Sequence, residues 1–179
     1  MSGEPTSDEA KELYAHFGLA FYCSSVLEHG VANAILALEL LNGRGGAKSR
    51  AEWESLVDKH FEDSFAKTLG RLIRQFARHH ERSPALAGIN TDLEKCVAER
   101  NFLAHHFWRG YAEHWLTSDG RASMIQRLER ARDLFAETDK KLEAAIQPLE
   151  VRHGITPEVV RQEMERISRN AAKEPGGEK

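Results

Sequence analysis

One stretch of the chain, Glu99-Arg100-Asn101-Phe102-Leu103-Ala104-His105-His106-Phe107-Trp108, sets an arginine, an amide and two histidines among apolar residues of helical character. An imidazole has a pKa of about 6.5 and exchanges a proton near neutral pH; a guanidinium is a permanently charged fork of donors matched to phosphate oxygens. On a helix each residue advances about 100°, so Asn101 and His105, four apart, lie about 40° from each other and their side chains can meet. Arg100 and His105, five apart, diverge by about 140°, so a single helix does not aim both at one point. A second copy packed across a two-fold axis brings an arginine and a histidine from each chain to a shared cleft, and the stretch therefore predicts a homodimer. His106 points about 100° away from His105 and is equally a substrate contact or an inert surface residue.

Spacing alone is weak, because an arginine followed five positions later by a histidine recurs as Arg74 to His79 and Arg109 to His114. Arg100 stands out through Asn101 directly after it, the apolar Phe102-Leu103-Ala104 between, and its place inside a predicted helix. The plain alternatives are a structural ion pair of Arg100 with Glu28, Asp92 or Glu99, and an Asn101 that bonds a neighbouring helix.

A second set of chemically active residues is the run Lys67, Arg71, Arg74, Arg78 and Arg82, which recurs at three- and four-residue steps with His79 and His80 continuing it. Such a stripe is either a solvated helix face or a track for phosphates driven by counterion release. Metal chemistry has little to use: His79-His80 and His105-His106 are adjacent pairs that point apart on a helix, and no facing Glu-x-x-His pairs occur. The cluster Asn42-Gly43-Arg44-Gly45-Gly46 lacks the Lys-Ser/Thr of a phosphate loop and reads as a turn. No cofactor or metal is predicted.

The elements that must position these residues are helices. Thr6 and Glu9 form a capping box for a long helix over 8–42, whose inner positions are Leu13, Phe17, Ala20, Leu27, Val31, Ile35 and Leu38. It is apolar on other faces too (Leu19, Phe21, Val26, Leu36, Leu40), which predicts burial on more than one side. A short helix over 50–60 with Trp53, Leu56 and Val57 and another over 63–82 with Phe65, Leu69, Leu72, Ile73 and Phe76 inside follow. Ser83-Pro84 and Gly88-Ile89-Asn90 mark a loop. Thr91 and Glu94 then look like a second capping box, opening the motif helix, which runs to about Trp115. Asp119-Gly120 turns the chain into a long amphipathic helix over 121–147 with Leu128, Phe135, Leu142 and Ile146 on one edge, stopped by Pro148. Thr156-Pro157-Glu158 starts a last, surface helix over 157–171, and 172–179 reads as a disordered tail. The expectation is one all-α domain over 1–171, an up-and-down helical bundle.

The 179 residues, 41% hydrophobic and 30% charged with five prolines, suit a helix-rich globular domain. A net charge of −3 argues against a generally cationic nucleic-acid coat but leaves room for a local basic groove. Cys23 and Cys96 fall among apolar helix positions as packed, reduced thiols. The first helix is too polar and Gly-broken to span a membrane, and the first eight residues resemble no signal peptide, which predicts a cytoplasmic protein.

Arg100-Asn101-Phe102-Leu103-Ala104-His105 resembles the Arg-Asn-x-x-x-His form of the signature of HEPN domains, helical bundles of prokaryotic defence and toxin–antitoxin systems and of RNA-processing enzymes. The order of elements over about 8–148 is similar as well, with Glu28 in the long first helix. The resemblance implies a HEPN-like dimer that cuts RNA without a metal as a toxin or defence effector, with a cognate antitoxin or regulatory protein as a further partner. His105 would exchange protons with the ribose 2′-hydroxyl or the 5′-oxygen, Arg100 would hold the scissile phosphate, and Asn101 would orient the His105 ring. Glu28 fits a partner for a buried cation better than a catalyst. His106, Lys67, Arg71, Arg74 and Arg78 would contact substrate, and the products would be a 2′,3′-cyclic phosphate and a 5′-hydroxyl. The rival reading is a non-catalytic HEPN-like module that binds a protein partner or a nucleotide.

Overall fold

The computed structural model describes residues 3–39, 49–80 and 84–171, all of them helices and their connections. Helix α1, Ser7–Glu39, starts at the capping box: Thr6 N–H donates to Glu9 Oε2 at 2.8 Å and Glu9 N–H donates back to Thr6 Oγ1 at 3.3 Å. Its inner positions Leu13, Ala20, Leu27, Val31 and Ile35 are fully buried, and Phe17 packs against the same core. Burial on further faces holds only for the C-terminal half, where Ala32 and Ala37 are also covered. Nearer the N-terminus Leu19, Tyr22 and, just past the middle, Val26 stay 45%, 65% and 37% exposed.

Next come α2, Arg50–Phe65, capped by Ser49; α3, Leu69–His80; and α4, Pro84–His105. A four-residue α5, Phe107–Gly110, and a 3₁₀ turn, His114–Leu116, lead into α6, Ser118–Arg152; α7, Pro157–Ala171, completes the order. The predicted turn over Asn42–Gly46, Leu40, Arg82, Ser83 and the 172–179 tail lie outside the described residues.

Contacts fix the helix directions. Glu9 meets Arg121 and Gly30 meets Asp139, so α1 and α6 run parallel and share the most extensive interface. Glu99 pairs with Arg127 and Asp92 with Lys141, so α4 runs against α6. His60 lies 3.0 Å from the Ala32 carbonyl and Phe65 4.4 Å from the His29 ring, which sets α2 antiparallel to α1. With α3 returning, α1, α2, α3, α4 and α6 alternate in direction: an all-α, up-and-down bundle. Leu128, Phe135, Leu142 and Ile146 of α6 close the core, as their periodicity requires. No strand occurs among the described residues, and no described helix is long and apolar enough to cross a membrane.

Several boundaries differ from the sequence reading, each for a packing reason. Pro84–Asn90 is not a loop: α4 begins at Pro84, the position a proline favours, because Leu86, Ile89 and Leu93 bury at helical spacing and carry the turn through Gly88. Thr91 is therefore mid-helix, and Glu94 accepts from Asn90 Nδ2 at 3.2 Å instead of boxing a cap. Phe65 belongs to α2 and is 47% exposed rather than inside. Asp119 and Gly120 lie in the first turn of α6, whose cap is Thr117: Gly120 N–H donates to Thr117 Oγ1 at 3.1 Å. Pro148 does not stop α6, since Ile146 and Leu149 keep packing on either side of it, and the helix closes at Gly154 with φ 81°. The α7 start holds, with Val159 N–H on Thr156 Oγ1 at 3.4 Å.

Candidate functional site

Helix α4 presents its last turn at one end of the bundle. Leu93, Cys96 and Leu103 hold its inner side in the core, and the outer side carries Asn101, Ala104 and His105, all exposed. Arg100 is half-buried toward α1, its guanidinium carbon 5.7 Å from the centroid of the Phe21 ring, within cation–π range. The carboxylates that could have neutralised it are otherwise engaged: Glu99 pairs with Arg127, and Asp92 accepts from both Lys95 and Lys141. No ion pair joins Arg100 to Glu28 among the described residues. Arg100 is thus left with an aromatic face against its guanidinium and no carboxylate partner among the described residues.

The helix does not run on to Trp115. It ends at His105, and His106, at φ −126° and ψ −21°, breaks it. The His106 N–H still donates to Phe102 O at 2.9 Å, and α5 then turns back onto α1 with Phe107 fully buried. The break leaves both histidines exposed, their rings 6.3 Å apart and edge to face. Within one chain, no side-chain hydrogen bond joins Asn101 to His105 among the described residues.

Behind the motif, Arg127 reaches across from α6 to Glu99 and sits 5.1 Å over the Phe102 ring. Its hydrogen bond to Glu99 pushes the guanidinium pKa up. Glu99 and Arg127 are therefore structural, bracing the helix turn from which Arg100 and Asn101 project.

Arg71, Arg74 and Arg78 lie exposed on α3, whereas Lys67 sits half-buried in the connection between α2 and α3, because the helix expected over 63–82 starts only at Leu69. Lys67, Arg71, Arg74 and Arg78 line one open groove of about 640 Å³ together with Gln75 and Ala77. Lys67 Nζ donates to Gln75 Oε1 at 3.1 Å, and no carboxylate pairs with the three arginines among the described residues. His79 leaves the stripe: it turns to α1 and contacts Glu39 at 3.2 Å. The His80 side chain and Arg82 lie outside the described residues. The stripe adjoins the motif helix at its N-terminal end, where a Cβ on Gly70 would stand 3.6 Å from Val97, one turn before Arg100 and Asn101.

Sequence reasoning did not single out an aromatic tier beside the motif. Tyr14 of α1 lies 5.5 Å from Trp108 and 5.9 Å from Trp115, ring centroid to ring centroid. Only Trp108 had a local signal, as the end of the motif stretch. Both cysteines are free, and burial raises both thiols, Cys96 sitting 3.4 Å from Thr138 Oγ1. The described residues bring no three His, Cys, Asp or Glu side chains together around a metal-sized site. Compared with known proteins, the chain matches no family model, no curated protein and no solved structure.

Proposed function

We propose that the chain is a metal-independent endoribonuclease of HEPN-like type that acts as a homodimer in the cytoplasm, as a toxin or defence effector held in check by a cognate antitoxin or regulatory protein. The observation that carries this reading is Arg100: a half-buried guanidinium with no carboxylate partner among the described residues, anchored on Phe21 one turn from an exposed His105. Dimerisation is supported by the exposed apolar stripe Leu19, Tyr22 and Val26 on α1, which lies about 100° to 160° around that helix from Phe21. A composite cleft requires a second copy that brings its own arginine and histidine to Arg100 and His105.

In that cleft the His105 imidazole takes the proton of a ribose 2′-hydroxyl. The 2′-oxygen attacks phosphorus, the bond to the 5′-oxygen breaks, and a protonated imidazole delivers a proton to the departing 5′-oxygen. Arg100 offsets charge growing on the phosphoryl oxygens. No water is consumed, and the products are a 2′,3′-cyclic phosphate and a 5′-hydroxyl. The groove of Lys67, Arg71, Arg74 and Arg78 holds the flanking backbone.

The test is labelled RNA incubated with the parent protein and with His105→Ala in the presence of a chelator, with product ends identified. Cleavage by the parent alone, leaving cyclic phosphate ends, is expected; a variant that cuts at the parent rate removes the histidine from the mechanism. The net charge of −3 favours the alternative of a non-catalytic module that binds a protein partner or a nucleotide, and no cleavage by the parent would point there.

A further inference from the structure

Three aromatic rings from two parts of the chain meet at the exposed end of the bundle next to the motif. Tyr14 stacks on Trp115 with 26° between the planes, and Trp108 stands edge-on to both, 5.5 Å from Tyr14 and 6.1 Å from Trp115. The tier rests on a rigid floor, since Trp108 packs 5.2 Å from Phe17 and 5.2 Å from the fully buried Phe107. Yet its outer side is open: Tyr14 is 55% and Trp108 39% exposed. A pre-set ring surface left in water is suited to receive another flat ring.

Its surroundings narrow the class of that ring. From Arg100 to Gly110 the chain carries two arginines and two histidines and no carboxylate. Trp108 follows His105 by three residues and precedes the exposed Arg109 by one. Aromatic faces interleaved with cations are the recognition surface of unpaired nucleic acid, whose bases offer π-faces and whose phosphates offer charge. A base inside a duplex is already stacked and cannot lie on Tyr14.

We infer that Tyr14 and Trp108 form a stacking platform for an unpaired nucleobase adjoining the phosphate held at Arg100 and His105, so that the substrate is single-stranded RNA. This rests on the ribonuclease reading and adds the substrate class to it. The platform is distinct from the apolar stripe on α1, because Tyr14 lies about 80° to 140° around the helix from Tyr22, Val26 and Leu19. A second copy can cover the stripe while Tyr14 stays open.

The test uses a fluorescein-labelled 2′-O-methyl octanucleotide, which lacks the attacking hydroxyl, and the same strand in a duplex. Binding is read by anisotropy and by intrinsic tryptophan fluorescence for the parent, Tyr14→Phe and Tyr14→Leu, with thermal melting to check folding. The single strand is expected to quench the tryptophans and bind more tightly than the duplex. Tyr14→Leu should weaken it roughly ten-fold and Tyr14→Phe should bind like the parent. Equal binding by Tyr14→Leu, equal binding and quenching by the duplex, or no binding at all would overturn the platform. So would conversion of a dimer to a monomer by Tyr14→Leu, which would make the ring a subunit contact. Because the probe cannot be cut, quenching without cleavage of ordinary RNA would sink the ribonuclease reading alone, and cleavage indifferent to Tyr14 would sink the platform alone.

Discussion

Glu99 and Arg127 form an ion pair between α4 and α6 at the back of the turn that carries Arg100, with side chains only 12% and 24% exposed. One carboxylate oxygen takes the guanidinium, and the other, Oε1, is buried with no hydrogen-bond partner among the described residues. Removing the arginine would strand a charge there. Arg127→Leu should destabilise the fold by about 1–3 kcal/mol, roughly 3–10 °C in Tm. The double replacement Glu99→Leu with Arg127→Leu should recover part of that loss. A single variant that melts with the parent would show that the pair does not brace the motif helix.

The pair Glu9–Arg121 makes a pH-dependent clamp between the starts of α1 and α6. Arg121 Nη2 donates to Glu9 Oε1 at 2.7 Å, and this bond, followed by those from Thr6, holds the Glu9 pKa at about 2 instead of 4.5. A carboxylate with a depressed folded pKa contributes stability that is fully present above its unfolded value and lost as pH falls through the folded one. Melting temperature should therefore drop between about pH 4.5 and pH 2, and the drop should be shallower in Glu9→Gln. Identical pH profiles for the two proteins would contradict the clamp.

Gly30 and Asp139 meet where α1 and α6 run side by side. A Cβ on Gly30 would collide with Asp139 Oδ1, and burial, with Glu143 nearby, raises the Asp139 pKa. Gly30→Ala alone should fail to deliver the roughly 1 kcal/mol that alanine gains over glycine inside a helix. Gly30→Ala combined with Asp139→Ala should deliver it, as measured by a double-mutant cycle in denaturant. Additive single effects would mean the two sites do not touch in solution.

The alternating bundle, the Thr6–Glu9 cap, the Thr156 start and the inner edge of α6 were all legible, because local chemistry and helical period agree there. The break at His106 was not. Phe107, Trp108, Tyr111 and Trp115 continue a helical-looking pattern, and what ends the helix is tertiary: Phe107 and Trp108 turn back onto Phe17 and Tyr14. Gly88 and Pro148 misled in the opposite direction, since packing by Leu86, Ile89, Ile146 and Leu149 carries helix through residues that locally weaken it. Of the candidate site, the Arg100 motif and the α3 stripe could be read from spacing. The aromatic tier could not, because Tyr14 lies far from Trp108 in sequence.

Gly120 tests the connection that holds Trp115. A Cβ there would stand 2.7 Å from both His114 Cα and Thr117 Oγ1, and backbone cannot swing aside as a flexible side chain can. Gly120→Ala should cost about 1–3 kcal/mol despite alanine's better helix propensity. It should also change tryptophan fluorescence, since the displaced turn carries Trp115 against Tyr14. A variant as stable as the parent would mean the 114–117 turn is looser than its contacts indicate.

The three arginines Arg71, Arg74 and Arg78 project from one face of α3, exposed and without carboxylate partners among the described residues, so reversing them should leave melting almost unchanged. On the proposed ribonuclease reading their effect belongs to binding. Each phosphate neutralised on a single strand releases counterion and adds about 0.7 to the magnitude of the slope of log K against log salt. If each arginine takes one phosphate, the Arg71→Glu, Arg74→Glu, Arg78→Glu protein should lose about 2 from that slope, and its loss of affinity relative to the parent should be larger at low salt than at high. A general loss of affinity with an unchanged slope would place the phosphates elsewhere, at Arg100 and Arg109. An unchanged affinity would reduce the stripe to a solvated helix face, which its open, singly helical groove would then fit equally well.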